Sequence, residues 1–218
     1  MADRLAASTN SYHTYTLEEA LAGIAAAGFS SVELTSVPGW TEHVTRDADA
    51  NELANVKALL AKHGLTAVSL SGHSDLVTDD GVTQFRKALR LCKELGIPMI
   101  TTSTGGHDAS SAGSLDHQRE EFLKRIGPLA DEAAANGITI CLETHGGLLA
   151  TGMISQDLVK RIGKKNVGIN YDAGNVIVYG ATDPQGDLLG SVGSVVHVHA
   201  KDKIGGPGVW NFPAVGTG

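Results

Sequence analysis

Two textures of sequence alternate along this chain with a repeat of roughly 30 residues, the length of one strand-plus-helix unit, and this restricts the fold more than any other feature. Short apolar runs begin near Leu5, Val32, Thr66, Met99, Ile138, Val167 and Val195, and each ends in polar residues. Between them lie longer amphipathic stretches that end in glycine. Repeated strand–helix units imply parallel strands, because each crossover returns the chain to the same edge.

The helices carry their own start and stop signals. Thr16 followed by Glu19 forms a capping box, in which hydroxyl and carboxylate each satisfy an orphan backbone N–H. Gly28 then ends the helix, since a left-handed residue costs glycine nothing. A second helix is expected from about Asp49 to Gly64, with Leu53, Val56, Leu59 and Leu60 on one face. Others are expected from near Asp79 to Gly96, from near Ser114 to Gly137, from Ser155 to Gly163 and near Asp183 to Gly193.

An open, doubly wound nucleotide-binding sheet and a closed barrel both fit such units. The first calls for a glycine-rich phosphate turn after its first strand. Here the first strand leads into Asn10-Ser11-Tyr12-His13, without glycine. Polar residues instead follow nearly every strand: Asn10, Glu33, His73, Thr104, Glu143, Asp172 and His199. Polar groups from every strand's C-terminal end describe a barrel mouth. The expected fold is therefore an α/β (β/α)8 TIM barrel, forming a single domain over residues 1–218. Seven strands are visible where eight are needed, and the sequence reaches Gly218 inside a glycine- and proline-containing loop. The expectation is that the C-terminal strand and helix of the barrel are missing from the sequence as given.

Composition narrows the function. A length of 218 residues suits one domain, and 42% hydrophobic with 19% charged residues is a soluble globular composition. The net charge of −7 argues against nucleic acid as a partner, where affinity rests on Lys and Arg neutralising phosphates. No apolar run approaches the roughly 20 residues of a membrane helix, and Met1 to Ser8 lack the pattern of a signal peptide. Cys92 and Cys141 are expected as buried thiols, which fits a cytoplasmic setting.

Three strand ends carry the chemistry. Ile138-Thr139-Ile140-Cys141-Leu142 delivers Glu143, with His145 two residues on and pointing the same way. A carboxylate placed directly after a buried strand is costly unless paired, hydrogen-bonded or bound to a cation, so Glu143 reads as a metal ligand or as an acceptor of backbone amides. Val167-Gly168-Ile169-Asn170-Tyr171 delivers Asp172, which reads as a ligand or as the cap of the next turn. Val195-Val196-His197-Val198-His199 places two histidines on one face; His199 is nearer the mouth, and His197 lies one layer deeper as support. Three consecutive strands ending in Glu, Asp and His favour one metal site made of Glu143, Asp172 and His199. Carboxylate and imidazole donors suit Mn²⁺, Mg²⁺, Co²⁺, Fe²⁺ or Zn²⁺.

Other polar residues are candidates for a substrate. His73 follows the third strand and reads either as a substrate contact or as a surface loop histidine. Trp40, in the loop after the second strand, could cover a sugar face or simply pack that loop down. Glu33, inside the second strand, reads as a buried structural carboxylate, and Gly146-Gly147 is a weak anion-cradle signal.

Gly28-Phe29-Ser30-Ser31-Val32-Glu33-Leu34, Leu142-Glu143-Thr144-His145-Gly146-Gly147, Asn170-Tyr171-Asp172-Ala173-Gly174-Asn175 and His197-Val198-His199-Ala200-Lys201-Asp202 resemble the xylose-isomerase-like barrel superfamily. Within it they are most similar to the sugar phosphate isomerase/epimerase group, which includes ketose 3-epimerases and inosose dehydratases. The resemblance runs the length of the chain. It implies one divalent metal, most often Mn²⁺, held by Glu143, Asp172, His199 and a second Glu beyond Gly218. It also implies substrate contacts from Lys201 and the Gly205–Trp210 loop, and His145, on the same face as Glu143, is a further substrate-contact candidate. Ketose 3-epimerases show His three residues after the metal-binding Asp, where this chain has Asn175. The implied activity is a metal-dependent isomerase or epimerase acting on a sugar, sugar phosphate or cyclitol through an enediolate, with Glu143 as catalytic base. The alternatives are an inosose-type dehydratase and a non-catalytic sugar-binding or partner subunit; a repair endonuclease is disfavoured by the acidic charge and Asn175. The expected partner is a small-molecule sugar or cyclitol, with no nucleic acid and no membrane; homo-oligomer formation stays open.

Overall fold

The structure is a computed structural model that describes residues 5–104 and 113–218. Seven parallel strands form one sheet in sequence order: β1 (Ala7–Ser8), β2 (Ser31–Thr35), β3 (Thr66–Ser71), β4 (Met99–Thr102), β5 (Thr139–Glu143), β6 (Val167–Asp172) and β7 (Val195–His199). The crossovers carry α1 (Leu17–Ala26), α2 (Ala50–Lys62), α3 (Asp79–Leu95), α4 (Leu115–Ala134) and α5 (Gly152–Ile162). After β6 come a single turn α6 (Ala173–Asn175), a π-helical turn (Val176–Gly180) and α7 (Pro184–Ser191).

The sheet curls. The Nε2 atom of His199 on β7 lies 3.2 Å from Glu33 Oε1 on β2. Five strand spacings separate these strands, so a flat sheet would hold them about 24 Å apart. Among the described residues no pairing joins β1 to β7, so the sheet is a curled, seven-stranded part-barrel.

Alternation along the strands gives the sheet two unlike faces. Val32, Leu34, Leu70, Ile100, Ile140, Leu142 and Val167 face the helices and share one core with Leu21, Ile24, Leu53, Phe85, Leu91, Phe122, Ile126 and Leu158. Fully burying a side chain of this size contributes roughly 1.5–3 kcal/mol. The opposite, inner face carries Glu33, Ser69, Ser71, Thr101, Cys141, Glu143, Asn170, Asp172, His197 and His199; the strand register sets Glu33 beside Ser69, Glu143 beside Asn170, Asn170 beside His197 and Asp172 beside His199.

The helix ends follow the sequence closely. The Thr16–Glu19 capping box is present, and Asp49 with Glu52 forms a second. Gly96 and Gly163 end α3 and α5 in the left-handed conformation. The fifth helix begins earlier than the expected Ser155, at Gly152, because two caps meet there. Thr151 Oγ1 accepts from the Ile154 N–H, and the Asp187 carboxylate of α7 accepts from Gly152 N at 2.7 Å and Met153 N at 3.0 Å. The first strand, expected from Leu5, pairs only over Ala7–Ser8 before Thr9–Tyr12 turns into a 3-10 helix. Both cysteines are buried free thiols, and among the described residues no helix is long and apolar enough to cross a membrane.

One close approach anchors the β3–α3 loop. A Cβ added at Gly81 would fall 1.7 Å from the Asp75 carbonyl oxygen, a backbone atom that cannot swing aside. Gly81→Ala is therefore expected to destabilise the fold by about 1–3 kcal/mol through overpacking. Urea denaturation measures this; a midpoint equal to that of the parent would contradict it.

Candidate metal centre

Glu143 closes β5 and Asp172 closes β6, 5% and 1% exposed, while His199 closes β7. One donor atom from each of the three lies within 4.8 Å of the other two. His199 Nδ1 is 3.4 Å from Glu143 Oε1. A second group with the same property, Glu33, His197 and His199, shares the His199 ring.

The neighbours of Glu143 are side chains rather than the backbone amides that one reading of the sequence allowed. His73 Nε2 lies 2.9 Å from Oε2, and Asn175 Nδ2 donates to Oε1 at 2.9 Å. Burial alone would raise the Glu143 pKa, but His199 and His73 hold it well below the usual carboxylate range, so it is ionised at neutral pH. Asp172 serves both roles read from the sequence. Its Oδ1 accepts from Asn175 N at 2.9 Å as a cap, and its Oδ2 faces Lys201 Nζ at 3.3 Å. Its pKa is raised, first by burial and then by the Glu143 charge, with Lys201 opposing. Burial disfavours charge on His199, yet Glu33 and Glu143 on either side hold the imidazole well above its ordinary pKa. His197, one layer deeper, is shifted down, chiefly by burial, and its Nδ1 lies 2.9 Å from Asn170 Oδ1.

The other candidate residues divide. His73 is not a surface histidine: it is part-buried between Glu143 and Ser103, whose Oγ lies 3.1 Å from Nδ1. The loop carbonyl of His73 accepts from the buried Arg46 guanidinium at 2.9 Å, which fixes the loop beneath it. His145 packs 5.6 Å from the His73 ring and 4.9 Å from the Tyr179 ring. Lys201 Nζ donates to Asn175 Oδ1 at 2.8 Å and sits 4.1 Å above the Phe212 ring. Trp40 instead sits in the loop after β2, stacked 4.5 Å from His13 with its indole N–H donating to Asn10 Oδ1 at 3.0 Å. It is 63% exposed, so one face of an aligned indole stays open to solvent.

Sequence reasoning did not find the parts played by Asn170, Asn175, Tyr179 and Glu33. Alternation along Val167–Asp172 could have put Asn170 on the inner face with Asp172. Nothing local points to Glu33 as a partner of His199. Asn175, set where an imidazole would be expected in ketose 3-epimerases, is a neutral bridge between Glu143 and Lys201.

The donor set fits a hard or borderline divalent cation. Two buried carboxylates and an imidazole converge with no thiolate among them, and the Glu143 charge raises the Asp172 pKa, a repulsion that a cation would relieve.

A family model described as the xylose isomerase-like TIM barrel matches residues 21–218. No curated protein sequence matches the chain. A crystal structure of D-psicose 3-epimerase in the presence of D-fructose is similar at a TM-score of 0.74 and 19% identity, covering 89% of this chain and 71% of that one. A xylose isomerase-like TIM barrel protein from Mycobacterium smegmatis in complex with magnesium is similar at 0.74 and 16% identity, covering 91% and 76%. The probable 3-DHS dehydratase of Bacillus anthracis, involved in petrobactin synthesis, is similar at 0.68 and 18% identity, covering 91% and 73%. At these identities the likeness is one of fold.

Proposed function

This chain belongs to the xylose isomerase-like TIM barrel family, and from that premise we propose that it is a divalent-metal-dependent isomerase or epimerase of a sugar, sugar phosphate or cyclitol. The observation that carries the reading is the meeting of Glu143, Asp172 and His199 at the mouth, with His73, His145 and Lys201 around them.

Glu143, Asp172 and His199 would hold the cation, with Mn²⁺ the first candidate and Mg²⁺, Co²⁺, Fe²⁺ and Zn²⁺ alternatives. When bound, it supplies Lewis acidity toward a substrate carbonyl and its neighbouring hydroxyl, which acidifies the adjacent C–H by stabilising the enediolate. Glu143 is ionised and accepts the proton from that carbon. His73 at Oε2 and Asn175 at Oε1 fix the orientation of its carboxylate. Return of the proton by Glu143 to the neighbouring carbon is isomerisation; epimerisation requires a second acid to deliver a proton to the opposite face of the same carbon, a role Glu143 on one face does not fill. Lys201, steadied by Asn175 and the Phe212 ring, offers N–H donors to a substrate oxygen or phosphate. The open face of Trp40 suits the C–H face of a sugar ring, and the stack on His13 already holds it in one orientation.

The second reading, a dehydratase, needs only that the carbanionic intermediate lose a β-hydroxyl, and the fold likeness to the B. anthracis protein supports it. One experiment separates the readings. Metal-loaded protein is incubated in D₂O with a panel of ketoses, ketose phosphates and inososes. An isomerase or epimerase returns a product of equal composition carrying deuterium at the reacting carbon, whereas a dehydratase returns one lacking a water. Chelation is expected to reduce the rate at least a hundredfold, and Mn²⁺ to restore it. A metal-loaded protein that exchanges no C–H and releases no water from any of these substrates would leave the non-catalytic binding reading standing.

A further inference from the structure

We propose that Glu33 is a positioning residue for His199: its carboxylate holds the Nε2–H of the ring, so that Nδ1 is the nitrogen presented to Glu143 and Asp172. This rests on the reading of Glu143, Asp172 and His199 as the metal-holding set.

The two ring nitrogens of His199 face separate carboxylates. Nε2 lies 3.2 Å from Glu33 Oε1, and Nδ1 lies 3.4 Å from Glu143 Oε1. A ring held this way has one nitrogen committed to a hydrogen bond and the other turned toward the cluster, the carboxylate–imidazole couple that fixes tautomer and orientation in metal sites. Asn170 Nδ2 lies 3.1 and 3.3 Å from the two nitrogens, nearly equidistant, which puts it off the axis of either lone pair. It braces the ring and does not choose a nitrogen.

Glu33 itself is fixed from two sides. Ser8 Oγ on β1 donates to Oε1 at 3.1 Å, and Ser69 Oγ on β3 donates to Oε2 at 2.8 Å. The carboxylate is 4% exposed, so its geometry is set by protein groups. The three hydrogen-bonded strands β1, β2 and β3 therefore aim one carboxylate across the interior at a side chain 166 residues away.

Glu33, His197 and His199 could instead hold a cation of their own, since their donors also cluster within 4.8 Å. Both Glu33 oxygens already accept from hydroxyls, which favours positioning, and the number of ions bound decides between the two.

The test is Glu33→Gln, with metal titration by calorimetry and nitrogen-15 NMR of the imidazoles in the metal-free and Zn²⁺-loaded protein. The parent is expected to show a downfield Nε2–H resonance for His199 in both states, and E33Q to lose or shift it. E33Q should also bind Mn²⁺ or Zn²⁺ about 10–100-fold more weakly with the number of ions unchanged. An unaltered resonance together with parental affinity would overturn the proposal, and so would the loss of one ion from a two-ion stoichiometry, which would make Glu33 a ligand. If the parent binds no divalent cation, the metal reading fails, while the metal-free resonance still decides whether Glu33 holds the ring. Should E33Q not fold, Ser69→Ala frees only Oε2 and is expected to give a smaller change in both readouts; no change in either would then overturn the proposal.

Discussion

Replacing Glu143 with glutamine is expected to lower turnover of the responsive keto-sugar or inosose by about 10²–10⁴-fold, the usual worth of a positioned general base. Glutamine keeps the size of the side chain and can still accept from Asn175 Nδ2 at Oε1. What it removes is the negative charge and the basic oxygen facing His73 Nε2 at 2.9 Å. Two effects then separate. Losing a proton acceptor reduces the rate at saturating metal; losing a ligand charge weakens metal binding and is recovered by adding metal. Steady-state kinetics across a metal series read both. A variant within tenfold of the parent at saturating metal would remove Glu143 from the role of base. Because a buried charge is removed, folding should be verified by thermal unfolding alongside.

Arg46→Met is expected to cost about 3–5 kcal/mol of folding stability, since each buried acceptor left without a donor costs about 1–3 kcal/mol. Arg46 is 2% exposed and donates to four acceptors: the Ser36 carbonyl at 2.8 Å, Ser74 Oγ at 3.1 Å, the Gln84 carbonyl at 2.6 Å and the His73 carbonyl at 2.9 Å. Burial lowers its pKa to about 10, which leaves it charged at neutral pH. Methionine fills much of the volume and satisfies none of these acceptors, three of which are backbone oxygens. The residue ties the loop after β2 to the loop after β3 and to α3, so the damage should reach His73 and, through it, Glu143. Urea denaturation measures the stability loss, and the kcat of the surviving folded protein measures the effect on His73. A loss below 1 kcal/mol would show that water replaces the guanidinium at little cost.

The strand–helix order was readable because the units carry local signals: short apolar runs, a capping box at Thr16, and glycines at 96 and 163. The second capping box, Asp49 with Glu52, is an equally local signal that sequence reasoning missed. That Glu143, Asp172 and His199 come together was readable for a related reason. Each stands at the end of its own strand, and parallel neighbours put such ends side by side. Features joined by distant partners were not readable. The early start of α5 depends on Asp187, more than thirty residues on. Glu33 meets His199 only because the sheet curls, and no sequence interval signals that meeting. The π-helical turn at Val176–Gly180 also had no signal, since its apolar residues fit a strand or a helix equally well.

The two faces of the sheet also bear on how the protein responds to temperature. Unfolding transfers apolar area to water mostly from the helix-facing side, while the inner side releases carboxylates, hydroxyls, amides and imidazoles. Apolar exposure raises heat capacity and polar exposure lowers it, so the two faces contribute with opposite sign. A barrel with branched aliphatic side chains filling its centre has a smaller offset of this kind. The expected result is a lower increment per residue and a flatter curve of stability against temperature, read by calorimetry. The interior that gathers the candidate chemistry is thus also expected to broaden the thermal range over which the fold changes little in stability.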